Sequence, residues 1–566
     1  MRAEKHLATV LSLSLVLMFS SCKQIEFGAD ILLDDLQDRG EYESSIVVDC
    51  SRYRGNKTNT ILVNDIVYED PGTISFDQAG YYHLEVYETN RTVTPSAVIR
   101  LVILDKERGE AEWGLPPWTP EGVKPGRIEE QEITVICPSR VPADHGFPVV
   151  VVSGGDLTLS TDNFQAELGG NNFLIKRGVG SGWLSTEDMG PEALKIDHRS
   201  FPVQPEVIDN SPNLLSGTLR DDFTLETLSY WHIDESLIIP AGMTLTIEQG
   251  VFLTIAPEVD IINDGTILIK GSASEAVSIL CSNPDSFWGG IIGRANGNRV
   301  EARHALISGS GFHDGGDYSW GHAGRQALFF CEQGEIILDH CYLIDHIGQI
   351  FYPRYGLLDL DYCLIQRAKT GGQANFSEVY IDHCVFTDFP DDSKDYRDED
   401  NDGLYLNYCD ALINYSYFMY AKDDGLDSGA NGGGNIKVSY SRFESNFHEG
   451  AALSSGKETE KLHEFTNCIF TDCGQGLELG YSSPNHLVVA DSCTFSANGV
   501  GIRYGDSYKS HHEGSIRVNS SLSINNKYHD VWNMIRESWE ADTSQMSFQE
   551  VYVSEKNNMY PELKVL

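Results

Sequence analysis

The chain has 566 residues, which is enough for several domains, and its 84 acidic against 41 basic residues give a formal net charge of −43 at pH 7. Such a surface repels nucleic-acid phosphates and anionic lipid headgroups, so no nucleic-acid partner is expected, whereas cation binding or simple solubility fits the charge. The 53 glycines and the 10% of aromatic residues are typical of all-β chains.

Residues 1–22 have the features of a bacterial lipoprotein signal peptide. A positively charged start precedes an apolar stretch from Leu7 to Phe19, which is too short to span a bilayer. The following Ser-Ser-Cys22 resembles a lipobox, whose cysteine is acylated after cleavage; the alternative is an ordinary signal peptide with an incidental cysteine. Lys23 after the cysteine implies, by resemblance to known lipoproteins, an outer-membrane protein anchored through lipidated Cys22, on the surface or the periplasmic face.

Four segments are expected between the signal peptide and the main repeat. Residues 23–40 are polar and predict a tether, and residues 107–131 contain adjacent prolines that favour an extended linker. Residues 41–106 read as short strands, and Gly80-Tyr81-Tyr82 before one of them resembles the late strands of Ig-like modules. Residues 132–210 are also rich in strand-forming runs and predict a second β-sandwich-like domain.

Residues 211–533 carry a short repeated phrase: a polar residue, then Cys or Ser, any residue, and an apolar or aromatic residue. The intervals between successive copies are about 21 to 32 residues. Copies begin at His340, Tyr362, His383, Tyr415, Tyr440, Asn467, Ser492 and Asn519.

A second phrase, a glycine followed by an apolar residue, keeps the same period at Gly403, Gly425, Gly450, Gly476 and Gly501. Two phrases with one period indicate a solenoid. No amphipathic helix of the needed length fits between the strands, so leucine-rich and ankyrin-type repeats are disfavoured and a parallel β-helix remains. Residues 534–566 follow the last copy and predict a C-terminal cap made of a short helix and a strand.

The segment from Ile238 to Val251 resembles the opening coil of bacterial surface proteins of the right-handed parallel β-helix, pectate-lyase-like superfamily. The expected fold is therefore an all-β chain in which two Ig-like β-sandwich modules precede a right-handed parallel β-helix. This superfamily contains lyases, hydrolases and adhesins, so the resemblance is specific for the fold rather than for an activity.

Five cysteines occupy the same place in their coils: Cys341, Cys363, Cys384, Cys468 and Cys493. Side chains stacked in one column point the same way, which is poor geometry for disulfides. We therefore expect buried free thiols that fill a narrow core.

An acidic insertion at residues 389–402 ends in Asp398-x-Asp400-x-Asp402-Gly403. Carboxylates at alternate positions followed by glycine match the start of a calcium-binding loop. The twelfth position is Cys409 rather than an acid, so this is no EF-hand. A Ca²⁺ site formed by these three aspartates is one interpretation, and a solvated acidic loop is the other.

Acidic residues also gather at the glycine phrase. Successive coils stack about 4.8 Å apart, so carboxylates on neighbouring coils fit the spacing of about 5 to 9.5 Å that an acid and a base need across a glycosidic bond. Crowding also keeps one acid protonated. Before or after the glycines lie Asp402, Asp423, Asp424, Asp427, His448, Glu449, Glu478 and Arg503, the candidate catalytic residues.

The order Asn401-Asp402-Gly403, Asp423-Asp424-Gly425, His448-Glu449-Gly450 is similar to the motifs of polygalacturonase-like glycoside hydrolases. This resemblance implies hydrolysis of a polysaccharide, with Asp402, Asp424 and Asp427 as the carboxylates. The first motif lacks its spacer, the histidine is one residue early, and no Arg-x-Lys follows. Turn capping or cation binding is the alternative role for the same acids.

Aromatic side chains near these coils predict sugar stacking, with Tyr352, Tyr405 and Trp320 as the substrate-binding candidates; packing beneath loops is the other interpretation. The sequence thus predicts a monomeric lipoprotein whose β-helix face acts on an extracellular polysaccharide as a glycoside hydrolase. Two alternatives stay open: a non-catalytic glycan-binding, adhesin-like or structural protein, and a calcium-dependent polysaccharide lyase. Candidate bases for a lyase are Arg367, Lys369, Lys422 and Arg503.

Overall fold

The computed structural model describes the following residues: 30–32, 40–42, 46–50, 59–63, 66–69, 72–76, 80–88, 97–103, 133–153, 164–196, 199–283, 286–313, 318–321, 324–390, 400–429, 434–456, 459–505, 511–533, 545–554, 560 and 562–565. Every regular element within them is a β-strand, which confirms the all-β prediction. In the same residues no helix is long and apolar enough to cross a membrane. Cys22, the linker at 107–131 and the helix predicted near 534 lie outside this set.

The chain divides into two compact units, residues 1–115 with 393–398 and residues 116–392 with 399–566. The first unit contains a three-stranded and a five-stranded sheet. In sheet order their strands are Asp30–Leu32, Ile46–Asp49 and Thr73–Phe76, and Gly40–Tyr42, Ala97–Ile103, Gly80–Glu88, Asn59–Val63 and Ile66–Glu69. An Ig-like identity for this unit stays a prediction.

The second unit begins with a block of three small sheets between residues 133 and 208. Their strands, in sheet order, are Val179–Ser185, Gly146–Ser153 and Ile133–Ile136; Asn171–Ile175, Phe164–Leu168, Gly190–Ile196 and Arg199–Val203; and Arg140–Pro142 with Glu206–Ile208. We call residues 133–208 the N-terminal block. Its sandwich-like, Ig-type identity also stays a prediction.

The rest of the second unit is a parallel β-solenoid built from two long sheets. Each strand pairs in parallel with the equivalent strand of the next coil, as Leu404 does with Leu426 and Leu426 with Ala451. The first sheet, here called the site sheet, has the strands Gly217–Thr218, Leu237–Ile239, Ile261–Asn263, Ile291–Gly293, Ala327–Glu332, Gln349–Arg354, Thr370–Asn375, Leu404–Asn407, Leu426–Ser428, Glu449–Leu453, Gln475–Leu479, Val500–Tyr504 and His529–Asn533.

The second long sheet holds the two other strands of most coils. It has the strands Asn213–Leu214, Phe223–Leu225, Tyr230–Ile233, Thr244–Glu248, Phe252–Ile255, Thr266–Lys270, Val277–Cys281, Arg299–Ser308, Glu335–Ile344, Leu357–Asp361, Leu364–Gln366, Glu378–Asp382, Val385–Phe389, Asp410–Asn414, Tyr417–Ala421, Ile436–Ser439, Arg442–Glu444, Lys461–Thr466, Ile469–Thr471, His486–Asp491, Thr494–Ser496, Ser515–Asn519, Leu522–Ile524, Met546–Gln549, Tyr552–Val553 and Lys564–Val565. The last three continue the parallel pairing beyond residue 533.

The Cys/Ser phrase marks a turn that the coils between residues 340 and 521 make in the same way. Its first residue has a left-handed backbone, with φ near 50° at Tyr362, His383 and Tyr415. The next residue's side chain accepts the backbone N–H of the coil before it: Ser416 Oγ accepts from Cys384 at 3.1 Å and itself donates to the Asn414 carbonyl at 2.7 Å. Both cysteine and serine occur in this column because either side chain satisfies the buried amide.

The last copy of the phrase is shifted by one residue from its predicted place. Ser492 and Ser520 have the left-handed backbone, and Ser521 Oγ accepts the Cys493 N–H at 3.0 Å. The copy therefore begins at Ser520 and not at Asn519. A run of three polar residues before Leu522 left the register ambiguous in the sequence.

The glycine phrase marks a place where successive coils approach too closely for a side chain. A Cβ atom on Gly403 would lie 2.4 Å from the Gly425 carbonyl oxygen, and one on Gly450 would lie 2.6 Å from that of Gly476. A contact under 3 Å with backbone has no flexible partner to move aside, so the column is restricted to glycine.

The core is a ladder of apolar side chains that repeats along the solenoid axis. Fully buried phenylalanines stack face to face, with ring centroids 4.9 Å apart between Phe386 and Phe418 and 4.7 Å apart between Phe443 and Phe470. The cysteines of the described residues are free thiols, all buried except Cys137. This confirms the prediction made for the five cysteines of the repeated phrase.

The N-terminal block packs on the strand that follows the Cys/Ser turn in each coil. Val150 and Val179 join the same buried cluster as Leu306, Leu364 and Val385 of the solenoid. Buried polar contacts fix the register of this packing: Arg177 Nε donates to Glu444 Oε2 at 2.8 Å. This strand face is therefore covered over the coils that end near residue 444.

The Cys/Ser column predicts unequal effects of two substitutions at Ser416. In Ser416→Ala the Cys384 N–H loses its acceptor in a buried place, so the free energy of unfolding should fall by about 1–3 kcal/mol. In Ser416→Cys the acceptor is retained and the loss should be clearly smaller. Urea unfolding followed by far-ultraviolet circular dichroism measures both, and equal losses in the two variants would contradict the role assigned to the column.

Candidate functional site

The predicted catalytic column lies where three successive coils enter the site sheet. Asp402, Asp424 and Glu449 each precede the glycine of their coil, and the Gly403 and Gly425 N–H groups donate to the carbonyls of Asp424 and Glu449. As whole residues the three are 3%, 7% and 2% exposed. The coil geometry therefore brings these predicted residues together, one above the other.

The carboxylates of this column accept hydrogen bonds from the coil that follows. Asp402 Oδ1 accepts the Asp424 N–H at 3.3 Å, and Asp424 Oδ1 accepts the Glu449 N–H at 2.9 Å. Glu449 Oε1 accepts the side-chain amide of Gln475 at 2.6 Å. The alternative role of turn capping thus has direct geometric support for Asp402 and Asp424.

His448 joins the column to Asp423. Its Nδ1 lies 2.5 Å from Glu449 Oε2, 3.3 Å from Asp423 Oδ1 and 3.7 Å from Asp424 Oδ1. The His448 side chain is 21% exposed, against 11% for Asp423, 10% for Asp424 and 2% for Glu449. Solvent, and any ligand, therefore meets the cluster first at the imidazole and at the two aspartates. We call Asp402, Asp423, Asp424, His448 and Glu449 the acid cluster.

Burial and mutual repulsion divide the protons of the acid cluster unevenly. Burial, followed by repulsion from neighbouring carboxylates, raises the pKa of Asp402 and of Asp424 well above the usual range. Burial also raises the pKa of Asp423, although His448 opposes this. Burial disfavours the charged form of Glu449 too, but the nearby His448 outweighs it and lowers the pKa of Glu449 to about 2.

His448 has the complementary shift. Burial works against its charge, yet the carboxylates of Glu449 and Asp423 raise the pKa of the imidazole well above its ordinary value. Near neutral pH the cluster therefore contains an imidazolium and an ionised Glu449 beside two carboxyl groups that favour the protonated form. An arrangement in which neighbouring acids hold their protons differently can do acid–base chemistry.

A second predicted set forms the outward column of the site sheet. Tyr405 pairs in register with Asp427, and Glu478 pairs with Arg503 two coils further on. Arg503 Nη1 lies 3.4 Å from Glu478 Oε2, and its guanidinium lies 4.7 Å from the ring centre of Trp532. Burial, with the Asp427 charge, raises the pKa of Tyr405.

The three predicted sugar-stacking aromatics are placed differently. Tyr352 and Tyr405 are only 6% and 5% exposed, and Tyr352 stacks on Phe330 at 5.8 Å. Trp320 is 41% exposed and meets Tyr352 edge-on at 6.4 Å. Packing beneath a loop thus accounts for Tyr352, and Trp320 is the member of the three that presents a surface to a ligand.

The carboxylates in and around the cluster differ in how well they could coordinate a metal ion. Asp398 of the predicted calcium loop lies outside the described residues, and Asp402 is engaged in the capping column. The ligand atoms of Asp423, Asp424 and His448 lie within 4.8 Å of one another and could hold a metal ion. Two carboxylates with an imidazole suit a transition metal better than Ca²⁺, which takes oxygen ligands.

Among the candidate lyase bases, Arg367 is far from this chemistry. Its Nη2 donates to Asp345 Oδ2 and to Ser181 Oγ, both at 2.8 Å, in the contact with the N-terminal block. Arg367 is therefore a packing residue on the covered face. The structure brings Arg503, but not Arg367, to the site sheet.

Two buried residues near the site were missed in the sequence analysis. Gln475 continues the acid column on the fourth coil, and Lys461 is buried with its ammonium donating to Ser428 Oγ, the Gly429 carbonyl and the Ser454 carbonyl at 3.0, 2.9 and 2.9 Å. Burial lowers the pKa of Lys461 to about 8. The signal for Lys461 was present, because in Lys461-x-His463-x-Phe465 a charge stands at an inward position of an alternating strand.

The pKa shifts predict how stability depends on pH. Asp402, Asp424 and His448 bind protons more tightly folded than unfolded, where their pKa values are about 3.9 for aspartate and 6.5 for histidine. The free energy of unfolding should therefore fall as pH rises above about 4. Asp424→Asn keeps the capping oxygen but removes one such group. The difference in melting temperature, variant minus wild type, should therefore be more positive at pH 8 than at pH 5.

Asp410→Asn is the matched control for this measurement. Asp410 is exposed, and its Oδ1 caps the Asn435 N–H of the next coil at 2.8 Å, as Asp424 caps Glu449. Scanning calorimetry should give this control and the wild type the same pH dependence. An identical pH dependence for Asp424→Asn would show that Asp424 does not titrate as assigned.

Comparison with known proteins leaves the geometry as the basis for a function. No protein-family model, no curated protein and no solved structure matches the chain. What the chain does must therefore be argued from the acid cluster and its surroundings.

Proposed function

We propose that the protein is a lipoprotein, anchored in a bacterial outer membrane through Cys22, that hydrolyses an extracellular polysaccharide at the acid cluster. The observation that carries this proposal is a pair of neighbouring carboxyl groups in unlike surroundings: burial and repulsion from Glu449 and Asp423 raise the pKa of Asp424 well above its usual range, whereas the imidazole of His448 lies 3.3 Å from Asp423 and opposes the rise of its pKa. Glycoside hydrolysis needs a protonated and an ionised carboxyl group on the two sides of one bond.

In this proposal Asp424 is the general acid. It donates its proton to the glycosidic oxygen as the bond from that oxygen to the anomeric carbon breaks. Asp423 is the ionised partner: it takes a proton from a water molecule whose oxygen attacks the anomeric carbon as the leaving sugar departs. His448, 3.3 Å from Asp423, favours the ionised form of that carboxylate.

This assignment gives Asp423, rather than Asp427, the ionised role. Asp427 stands on the outward column beside Tyr405, and there it is better placed to orient the sugar. Asp402 raises the charge density of the cluster and caps the next coil, so it is a positioning residue. Trp320 supplies an exposed ring for a sugar further along the site sheet.

A non-catalytic glycan-binding protein is the second candidate, and a specific observation favours it. Asp402 and Asp424 both cap backbone amides of the following coil, which is sufficient reason for acids at those positions. A calcium-dependent lyase is less well supported, because Arg367 lies in the contact with the N-terminal block and Arg503 is paired with Glu478.

We also propose the finer features of the fold that this function assumes. The solenoid coils in the right-handed sense of the pectate-lyase-like superfamily, in line with the handedness of nearly all parallel crossover connections. Residues 41–106 and 132–210 are Ig-like β-sandwich modules. The first of them acts as a spacer between the anchor and the solenoid.

The test is a panel of polysaccharides incubated with the detergent-solubilised full chain, with calcium and with chelator. New reducing ends without absorbance from unsaturated uronates would support hydrolysis, and both signals together would indicate a lyase. On any substrate that is cleaved, Asp424→Asn should lower kcat by about 10²-fold or more, because the amide cannot donate the acid proton.

The structural control is again Asp410→Asn, which changes the same functional group in the same kind of cap. It should keep the wild-type kcat. If Asp424→Asn retains wild-type turnover while both variants stay folded, the acid assignment fails. Retention of a glycan in affinity electrophoresis without any product would favour the binding protein.

A further inference from the structure

We infer that the polysaccharide taken by this site carries hydroxyl or amino groups but no carboxylates or sulfates. The inference rests on the proposed function and names its substrate class. Two independent features support it: the cations near the acid cluster are engaged by the protein, and a buried acceptor beside the cluster lacks a donor.

The charges around the cluster are mostly negative. Besides the ionised Glu449, the cluster feels the charges of Asp423, Asp427 and Asp400, all of which act on Asp402. Unit charges of one sign repel, and they repel more strongly where water is excluded. A polyanionic chain would meet this repulsion along its whole length on the site sheet.

Three cationic side chains near the site are already bound to acceptors of the protein. His448 is held by Asp423 and Glu449, and the Lys461 ammonium donates to three oxygens. Arg503 is paired with Glu478 and covers the ring of Trp532. Arginine and lysine are strong partners for a sugar carboxylate, and here Lys461 and Arg503 would first have to break a buried contact.

The second feature is the side-chain amide of Gln475. Its Nε2 donates to Glu449 Oε1 at 2.6 Å, while its Oε1 is buried and accepts no hydrogen bond from any described residue. The Gln475 side chain is 4% exposed. A buried acceptor without a donor is costly, so this atom is a place for a hydroxyl or ammonium hydrogen.

The two features together indicate that the ligand groups at this site are hydrogen-bond donors. The ionised carboxylates and the Gln475 oxygen accept hydrogen bonds, so the ligand groups that meet them must donate. Sugar hydroxyls donate, and protonated amino groups donate and also neutralise charge. A uronate carboxylate or a sulfate ester offers only acceptors at the same position.

The experiment compares pairs of polysaccharides that share a backbone and differ in charge. Suitable pairs are chitosan with N-succinyl chitosan, polygalacturonate with its carboxyl-reduced form, and cellulose oligomers with carboxylated ones. The detergent-solubilised full chain is assayed on both members for reducing ends and for retention in affinity electrophoresis. Within the pair that is recognised, the non-acidic member should be preferred by about tenfold or more in rate or affinity.

The outcomes separate this inference from the proposed function. Cleavage of an acidic member as fast as its partner would reject the inference and leave hydrolysis standing. Retention of non-acidic members without any cleavage would reject hydrolysis and leave the inference standing. Retention of acidic members only, or of no member of any pair, would reject the inference.

A charge substitution on the outward column of the site sheet provides a second test. Asp427→Lys places a cation on the outward column beside Tyr405, so the preference for the non-acidic member should fall several-fold toward the acidic one. Asp410→Lys makes the same charge change on an exposed aspartate of the other long sheet and should leave the ratio unchanged. An equal shift in both variants would show that overall charge, and not this site, sets the preference.

Discussion

Hydrogen bonding from one coil to the next at the turns is the constraint on which the rest of this structure depends. A strand can satisfy its amides with the neighbouring strands, but a turn cannot, and a solenoid buries a turn at every corner. This chain meets the need with short side chains in columns. Ser416 and Ser441 accept amides of the preceding coil, and the buried Asn446 and Asn498 do so at another corner. The columns fix the register, and the register positions everything else.

The acid cluster is built on the same device. Asp402 and Asp424 occupy a corner column, and each accepts an amide from the following coil, so the backbone geometry of the solenoid determines how close the carboxylates stand. Their crowding raises their pKa values, and the imidazole of His448 keeps Glu449 ionised. A structural role and the proposed chemical role therefore coincide in one set of residues. For this reason a loss of function at these positions has to be judged against an equally capped aspartate elsewhere.

The fold was predictable from the sequence to the extent that its constraints recur. The Cys/Ser and glycine phrases repeat because one turn recurs, with a left-handed residue at His383 and Tyr415 and close backbone contacts at Gly403 and Gly450. The conjunction of Asp402, Asp424 and Glu449 followed from the same period.

The repeat period could not predict how residues outside the repeated columns are packed. The burial of Tyr352 and Tyr405 depends on loops and on contacts between residues far apart in sequence. Arg367 lies away from the site sheet because its guanidinium binds Asp345 and also Ser181 of the N-terminal block. Gln475 was visible as one more member of the glycine phrase. Its orphan oxygen depends on the geometry of two neighbouring coils, which no spacing encodes.

The interchangeability of cysteine and serine in the turn column has a consequence for how such a chain changes over generations. Because each coil presents the same acceptor to its predecessor and the same amide to its successor, a gene segment that encodes one whole coil can be duplicated or lost while every corner still finds a partner. The glycine column imposes the same equivalence. The acid cluster is different, since it needs three particular coils in one order. Length is therefore free to drift at the ends of the solenoid, whereas gain or loss of a coil between Asp402 and Glu449 would take the acid cluster apart.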